Sequence, residues 1–174
     1  IKVKGDGLSS DLNQSLEKVE PNIKEDVFLF LLVNKNNIYE GEGVFLNLAL
    51  YVSESNTTAW TFPNNITQQI ERLASQLKPA DCLFNRANIV EIKPEKSVIK
   101  GKKYVKYSLY EAVLYPLSAN DIQFTPVQIE ISKGKADSLK NNLVKFSSLP
   151  FRVNVKELPE YPTKVKLPVG QFLL

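Results

Sequence analysis

Short apolar runs separated by polar, proline-marked or glycine-marked breaks dominate this chain, and most runs carry the two-residue period of β-strands. Val27–Val33 is apolar throughout, seven residues long, and flanked by Glu25-Asp26 and Asn34-Lys35-Asn36-Asn37. That length and those flanks predict a strand buried on both faces. After the corner Tyr39-Glu40-Gly41-Glu42-Gly43, Val44, Leu46, Leu48 and Leu50 alternate with Phe45, Asn47, Ala49 and Tyr51. The alternation predicts a strand to Tyr51 or Val52, one face on the core and the other partly covered. Further on, Asn88–Lys93 alternates, Pro94-Glu95-Lys96 reads as a turn, and Ser97–Lys100 leads to a hairpin corner at Gly101-Lys102. The partner is a long strand from Tyr104 to Leu117. Val105, Tyr107 and Leu109 mark one of its faces and Ala112 and Leu114 the other. The change of phase near Tyr110-Glu111 predicts a bulge or bend. Ile122 to Ile131 outlines another strand, with Pro126 forcing an edge or a bulge. Ser132–Asn142 reads as a lysine-rich loop, and Phe151, Val153 and Val155 as the inward face of a last strand.

One stretch has a helical period. Ile66, Ile70, Leu73 and Leu77 recur at spacings of four, three and four, an apolar stripe on one helix face. Asn65 is placed to cap it with Gln68 as the capping-box partner, Lys78 to sit in its last turn, and Pro79 to stop it. The pattern as a whole predicts an all-β, immunoglobulin-like antiparallel sandwich of about seven strands with one inserted helix at 65–78.

Composition narrows the class. The 174 residues are 43% hydrophobic and 24% charged, a globular mixture with enough chain for a core. Residues 1–22 read as a tail or linker from a preceding domain, 23–157 as the sandwich, and 158–174 as the extended start of a further segment. Ile1 at the start, with methionine absent throughout, fits a fragment of a longer protein. The longest apolar run is far short of the ~20 residues of a membrane helix, so this fragment is expected to be soluble. A net charge of +3, spread along the chain, favours solubility over a polyanion site.

Histidine is absent and Cys82 is alone. The commonest general base, the commonest transition-metal ligand and any disulfide scaffold are thereby removed. No cofactor is expected, and no metal or catalytic residue is assigned. Glu40 and Glu42, two apart, could share a hard cation or act as an acid/base pair; the reading adopted is solvated or turn-bracing carboxylates. Lys100, Lys102, Lys103 and Lys106 interleave with Tyr104, Tyr107 and Tyr110, as in surfaces for single-stranded nucleic acid. Edge-guarding lysines are the reading adopted, with no nucleic-acid partner. Trp60, Phe62 and Tyr51 could form an aromatic platform for carbohydrate, the alternative kept open beside a packing role. Cys82 reads as a small buried hydrophobe rather than a redox sensor.

Six ordered stretches carry a resemblance: Asp26-Val27-Phe28-Leu29, Tyr39-Glu40-Gly41-Glu42, Pro79-Ala80-Asp81-Cys82, Lys102-Lys103-Tyr104 leading to Leu114-Tyr115-Pro116-Leu117, Val153-Asn154-Val155-Lys156-Glu157-Leu158-Pro159, and Val169-Gly170-Gln171-Phe172. Their order resembles the second immunoglobulin-like region of the BatD proteins of the bacterial aerotolerance (Bat) operon, Bacteroidetes type, over roughly residues 23–174. Gly43 departs from that pattern. The resemblance implies a piece of a membrane-anchored protein linked to oxygen and stress tolerance, on the periplasmic side of the inner membrane. It also implies a non-enzymatic protein-interaction role, with the von Willebrand A-type proteins of the Bat operon as partners. The candidate interaction surface is Tyr39, Glu40, Glu42, Lys102, Lys103 and Tyr104. An exposed edge or apolar patch is expected there, without a deep polar pocket.

Overall fold

The computed structural model describes residues 26–134 and 142–159. The tail expected at 1–22 and the chain from residue 160 onward lie outside the described residues. Among the described residues eleven strands and one helix follow in order: β1 (Val27–Val33), β2 (Asn37–Tyr39), β3 (Val44–Ser53), β4 (Trp60–Thr61), α1 (Ile66–Gln76), β5 (Cys82–Arg86), β6 (Pro94–Ile99), β7 (Lys102–Pro116), β8 (Ile122–Phe124), β9 (Gln128–Lys133), β10 (Asn142–Ser147) and β11 (Phe151–Lys156).

The first layer is a five-stranded sheet in the order β1-β3-β7-β5, with β6 pairing the other half of β7. All of its pairings are antiparallel. Two three-stranded sheets, β10-β9-β4 and β2-β11-β8, make the second layer. They are two halves of one interrupted hairpin. β8 and β9 face β11 and β10, and the interruption falls at Pro126 and Pro150. There Val127 and Ser148 are joined by Ser148 N–H donating to the Val127 carbonyl at 2.9 Å. In return, Ser148 Oγ accepts from Val127 N–H at 3.1 Å. The single strand expected from Ile122 to Ile131 is therefore two, because a proline nitrogen cannot donate to a ladder.

Between the layers lies the main core. Its floor is Val27, Leu29, Leu31 and Val33 of β1 with Val44, Leu46, Leu48 and Leu50 of β3, and its roof includes Ile129, Ile131, Val153 and Val155. Each fully buried aliphatic chain contributes ~1.5–3 kcal/mol before entropy is counted. The far face of β1 and β3 carries a second cluster, with Phe28, Phe30, Tyr51 and Tyr104 all buried. Phe28 stacks on Tyr51 at 5.1 Å, and Tyr104 meets Phe28 edge-on at 5.4 Å. The unbroken apolar run of β1 is thus used on both sides, as its lack of alternation predicted.

The phase change in β7 is a bulge. Leu48 pairs with Tyr110 and Ala49 with Ser108, so Leu109 is the extra residue, one position before the expected site. The bulge changes how the faces are read. Tyr107, Leu109, Ala112 and Leu114 all join the one core, where simple alternation put the last two on the opposite face.

The all-β, immunoglobulin-like sandwich with an inserted helix is the fold the sequence predicts, but several elements differ. Asn88–Lys93 is irregular, and β6 starts at Pro94, where a turn was expected. A proline is tolerated as the first residue of an edge strand, and Ile99, the one apolar chain of the segment that is fully covered, draws it onto β7. Of the loop expected at Ser132–Asn142, Ser132 and Lys133 end β9, Asn142 opens β10 and 135–141 lie outside the described residues; β10 itself has a solvated edge and too little period to be expected from the sequence. β2 pairs in parallel with β11, an exception to the antiparallel expectation. The hairpin corner is a two-residue turn at Lys100 (φ 48°) and Gly101 (φ 78°), the type I′ pattern whose twist suits adjoining strands.

The helix closes one side of the sandwich. Its apolar stripe is buried at Ile70, Leu73 and Leu77, with Ile66 packed at the margin. Arg86 of β5 grips Glu71 through both guanidinium nitrogens at 2.8 Å. On the other layer, Gln69 Oε1 accepts the Glu130 N–H at 2.8 Å and its Nε2 donates to the Glu130 carbonyl at 3.1 Å. One side-chain amide replaces the strand that β4, only two residues long, does not supply. The expected capping box does not form. Asn65 gives no side-chain cap, and its Oδ1 instead accepts from Gln69 Nε2. Lys78 lies beyond the helix, which ends at Gln76, and its ammonium sits 5.5 Å from the Phe84 ring centre.

Candidate functional site

The six residues proposed as an interaction surface divide between the two ends of β7. From Lys102 to Pro116 the strand advances about 45 Å at ~3.3 Å per residue. They do not form one surface. At the Lys102 end, Lys102 Nζ donates to Asp26 Oδ1 at 2.7 Å, and Lys103 is exposed. The bond to Asp26 is the leading reason its ammonium pKa lies above the ordinary value. Tyr104, 0% exposed, belongs to the aromatic cluster rather than the surface. Its alternation with lysine reads as exposure in the sequence, but the sheet turns it onto the covered side of Phe28 and Tyr51. With Tyr104 and Tyr110 buried and Tyr107 packed on the Phe62 ring, the stacking surface for nucleic acid does not form either.

The other end is built by the corner between β2 and β3. Glu42 N–H donates to the Tyr39 carbonyl at 3.0 Å, with Gly41 at φ 77°, the pattern of a type II turn. Glu42 braces it from the side. Its Oε1 accepts from Lys35 Nζ at 2.6 Å and its Oε2 from Tyr39 N–H at 3.0 Å. Burial alone would raise this carboxyl pKa, but the Lys35 bond and the Tyr39 N–H outweigh it and hold the group below its ordinary value. Glu42 is thus committed to the turn and does not form a cation site with Glu40. Gly43 has a reason as well. A Cβ there would lie 2.9 Å from Cε1 of Tyr115, so glycine lets that ring rest on the backbone.

The corner ties several strand ends together. Gly41 N–H donates to the Pro116 carbonyl at 2.8 Å, Glu40 N–H to Lys156 at 2.9 Å, and Leu117 N–H to Asp81 at 2.9 Å. Around these knots, large apolar chains stay in water: Tyr39 is 40% exposed, Tyr115 39%, Leu83 60% and Leu117 55%. Leu83 and Tyr115 are cross-strand partners, so they share a face. Only Tyr39 of this group was singled out from the sequence. Tyr115 and Leu117 lie in the long strand the sequence predicts, and only its tertiary pairing with β5 brings Leu83 beside them.

Tyr51, Trp60 and Phe62 do not make a ligand platform. Tyr51 is buried in the far-face cluster, whereas Trp60 packs edge-on against Phe146 at 5.3 Å and Phe62 against Tyr107 at 5.5 Å. Cys82 is buried, and burial, helped by Asp81, raises its thiol pKa, the opposite of a reactive cysteine.

A half-open polar groove of about 420 Å³ between α1 and β9 was not expected. Gln69, Arg72 and Gln76 line its helix side and Gln128, Glu130 and Lys145 its strand side. The signal was present: Asn65, Gln69, Arg72 and Gln76 repeat at four, three and four, each one residue before the apolar stripe. Among the described residues no group of three or more His, Cys, Asp or Glu side chains is placed to hold a metal, and no helix is long and apolar enough to cross a membrane.

No family model matches the sequence, and no curated protein matches it. Among solved structures the chain is similar to a non-cellulosomal cohesin from the hyperthermophilic archaeon Archaeoglobus fulgidus. The match has 12% identity over 76% of this chain and 92% of that one, with a TM-score of 0.35. A likeness at that level carries no inference about function.

Proposed function

We propose that this chain is a non-enzymatic protein-interaction domain that docks its partner through the apolar end formed by Tyr39, Leu83, Tyr115 and Leu117. One observation carries the reading. Four large apolar side chains stay exposed around one set of strand-end knots, where packing could have covered them. Scattered exposed leucines need no explanation, but Leu83 and Tyr115 are cross-strand partners, Leu117 follows on the same strand end, and Tyr39 sits on the corner bonded to it; such a group of exposed apolar side chains suits a protein contact. Its rim holds the acidic residues Glu40 and Asp81, which suit a partner presenting apolar side chains within a basic border.

The proposed setting is a BatD-like envelope protein, anchored in the inner membrane with this domain on the periplasmic side. Its proposed partners are the von Willebrand A-type proteins of the Bat operon. The stretches that carry the resemblance support the choice of surface. Tyr39–Glu42, Pro79–Cys82, Leu114–Leu117 and Val153–Pro159 meet at this end through the three backbone bonds described above. Asp26, from a further stretch, meets Lys102 at the opposite end of the strand that carries Leu114–Leu117. Affinity capture of the full-length gene product from cell envelopes is the test. Recovery of von Willebrand A-type Bat proteins supports the assignment. Their absence, with tight binding of a glycan or small molecule instead, overturns it.

A further inference from the structure

The groove beneath α1 is independent of the docking end, and its chemistry is that of peptide recognition. β4 pairs only with Ser132 and Lys133 of β9, so among the described residues the edge of β9 beyond them has no strand beside it. At Glu130 the Gln69 amide fills the vacancy, meeting both backbone groups as a neighbouring strand would. Side-chain direction and backbone pairing both alternate along a strand, so the next residue facing the same way is Gln128. The register agrees. Glu130 and Gln128 sit opposite Lys145 and Ser147 at the same parity, and the backbone bond from Ser148 N–H to the Val127 carbonyl falls at the alternate parity. Gln128 therefore presents one N–H and one carbonyl, in extended conformation, into the groove.

The side chains around this edge add a charge. Arg72 is exposed and has no ion-pair partner among the described residues. Lys145 reaches Glu130 at 3.6 Å, so the lining is net positive by one. Gln76 and Gln128 supply further carboxamides, which can pair with a peptide unit as Gln69 already does with Glu130. Among the described residues no aromatic ring lines the groove for a sugar to stack on.

We infer that this groove binds a short extended peptide segment bearing a carboxylate. The peptide backbone pairs with the free edge of β9 at Gln128, and the carboxylate sits on Arg72. An edge that accepts one more strand is a recurrent mode of peptide capture, and a guanidinium is matched to a carboxylate in geometry as well as charge. The carboxylate could be a chain terminus or an acidic side chain.

The test is a heteronuclear NMR titration of the whole 174-residue chain with four probes: N-acetyl-trialanine as the free acid, the same peptide as its C-terminal amide, N-acetyl-Ala-Ala-Glu-amide, and acetate. The free acid is expected to shift the Gln128 backbone amide and the Gln76 and Gln128 side-chain amides, and to bind at least tenfold more tightly than the amide. The glutamyl peptide reads the source of the carboxylate: parity with the free acid indicates an acidic side chain, and weaker binding indicates a terminus. Arg72→Gln lies on an exposed position and is expected to keep the native spectrum while abolishing the difference between acid and amide. Failure of every peptide to move Gln128 overturns the inference. So does equal binding of acetate and the free acid, or an unchanged preference in Arg72→Gln.

Discussion

Replacing Gln69 with methionine tests how α1 is fastened to the second layer. Methionine has nearly the same length and helix propensity as glutamine, so the change removes the amide and little else. Lost with it are the bonds to Glu130 N–H at 2.8 Å and to the Glu130 carbonyl at 3.1 Å. Each such bond is worth about 0.5–1.5 kcal/mol net. The groove is open to water, which partly satisfies the exposed backbone groups, so the expected loss is about 1–2 kcal/mol. With a urea m-value of about 2 kcal/mol/M, the midpoint falls by about 0.5–1 M while m stays constant. Gln69→Glu sharpens the test. Its carboxylate still accepts from Glu130 N–H but repels the Glu130 carbonyl and side chain, which raises its pKa in the folded state. The penalty is therefore present while the group is ionised and relieved as pH falls through that raised pKa. At pH 7 the glutamate variant is expected to be less stable than the methionine variant, and below about pH 4 the order reverses. Indistinguishable stability of Gln69→Met and wild type, or no reversal with pH, refutes the fastening.

Three further outcomes follow from local geometry. Lys35→Met is expected to cost about 1 kcal/mol at pH 7. Because Glu42 is held below its ordinary pKa of 4.5, that stabilisation is full above pH 4.5 and disappears as pH falls through the lower folded value; a difference that persists at pH 2 refutes the pairing. Lys100 holds φ 48° at a position suited to asparagine, so Lys100→Asn is expected to stabilise by about 0.5–1 kcal/mol in thermal unfolding, whereas Gly101→Ala at φ 78° costs about 1 kcal/mol; a neutral pair contradicts the turn assignment. The Cys82 thiol, buried and with its pKa raised, should react with a disulfide reagent far more slowly in the native chain than in urea, and equal rates contradict its burial.

Much of the fold was legible in the sequence because its signals are local. The unbroken run Val27–Val33, the alternation Val44–Leu50 and the helical stripe Ile66–Leu77 each carry their own local signal, and each element is found where that signal put it. What was not legible depends on partners distant in the chain. β10 shows no clean pattern, since an edge strand half in water has little to hide. β2 is three residues long and exists only because β11 lies beside it. The candidate surface suffered most. Tyr104 among lysines looks solvent-facing until Phe28 and Tyr51 are seen beneath it. The exposed group of Leu83, Tyr115 and Leu117 comes from two strands whose pairing no short-range pattern encodes. For Glu42 the turn-bracing reading taken from the sequence holds, because its carboxylate accepts from Lys35 Nζ and from the Tyr39 N–H.

The proposal that one apolar end of the sandwich is the docking surface is tested most directly by calorimetric titration with the proposed partner, a purified von Willebrand A-type Bat protein. Three forms of the chain are compared: wild type, the double variant Leu83→Glu with Leu117→Glu, and Val98→Glu at the far end of the sheet. All three positions are already more than half exposed, so folding should be retained. The expected result is a loss of at least a hundredfold in affinity for the double variant and a change under threefold for Val98→Glu. Undiminished binding by the double variant would contradict the account.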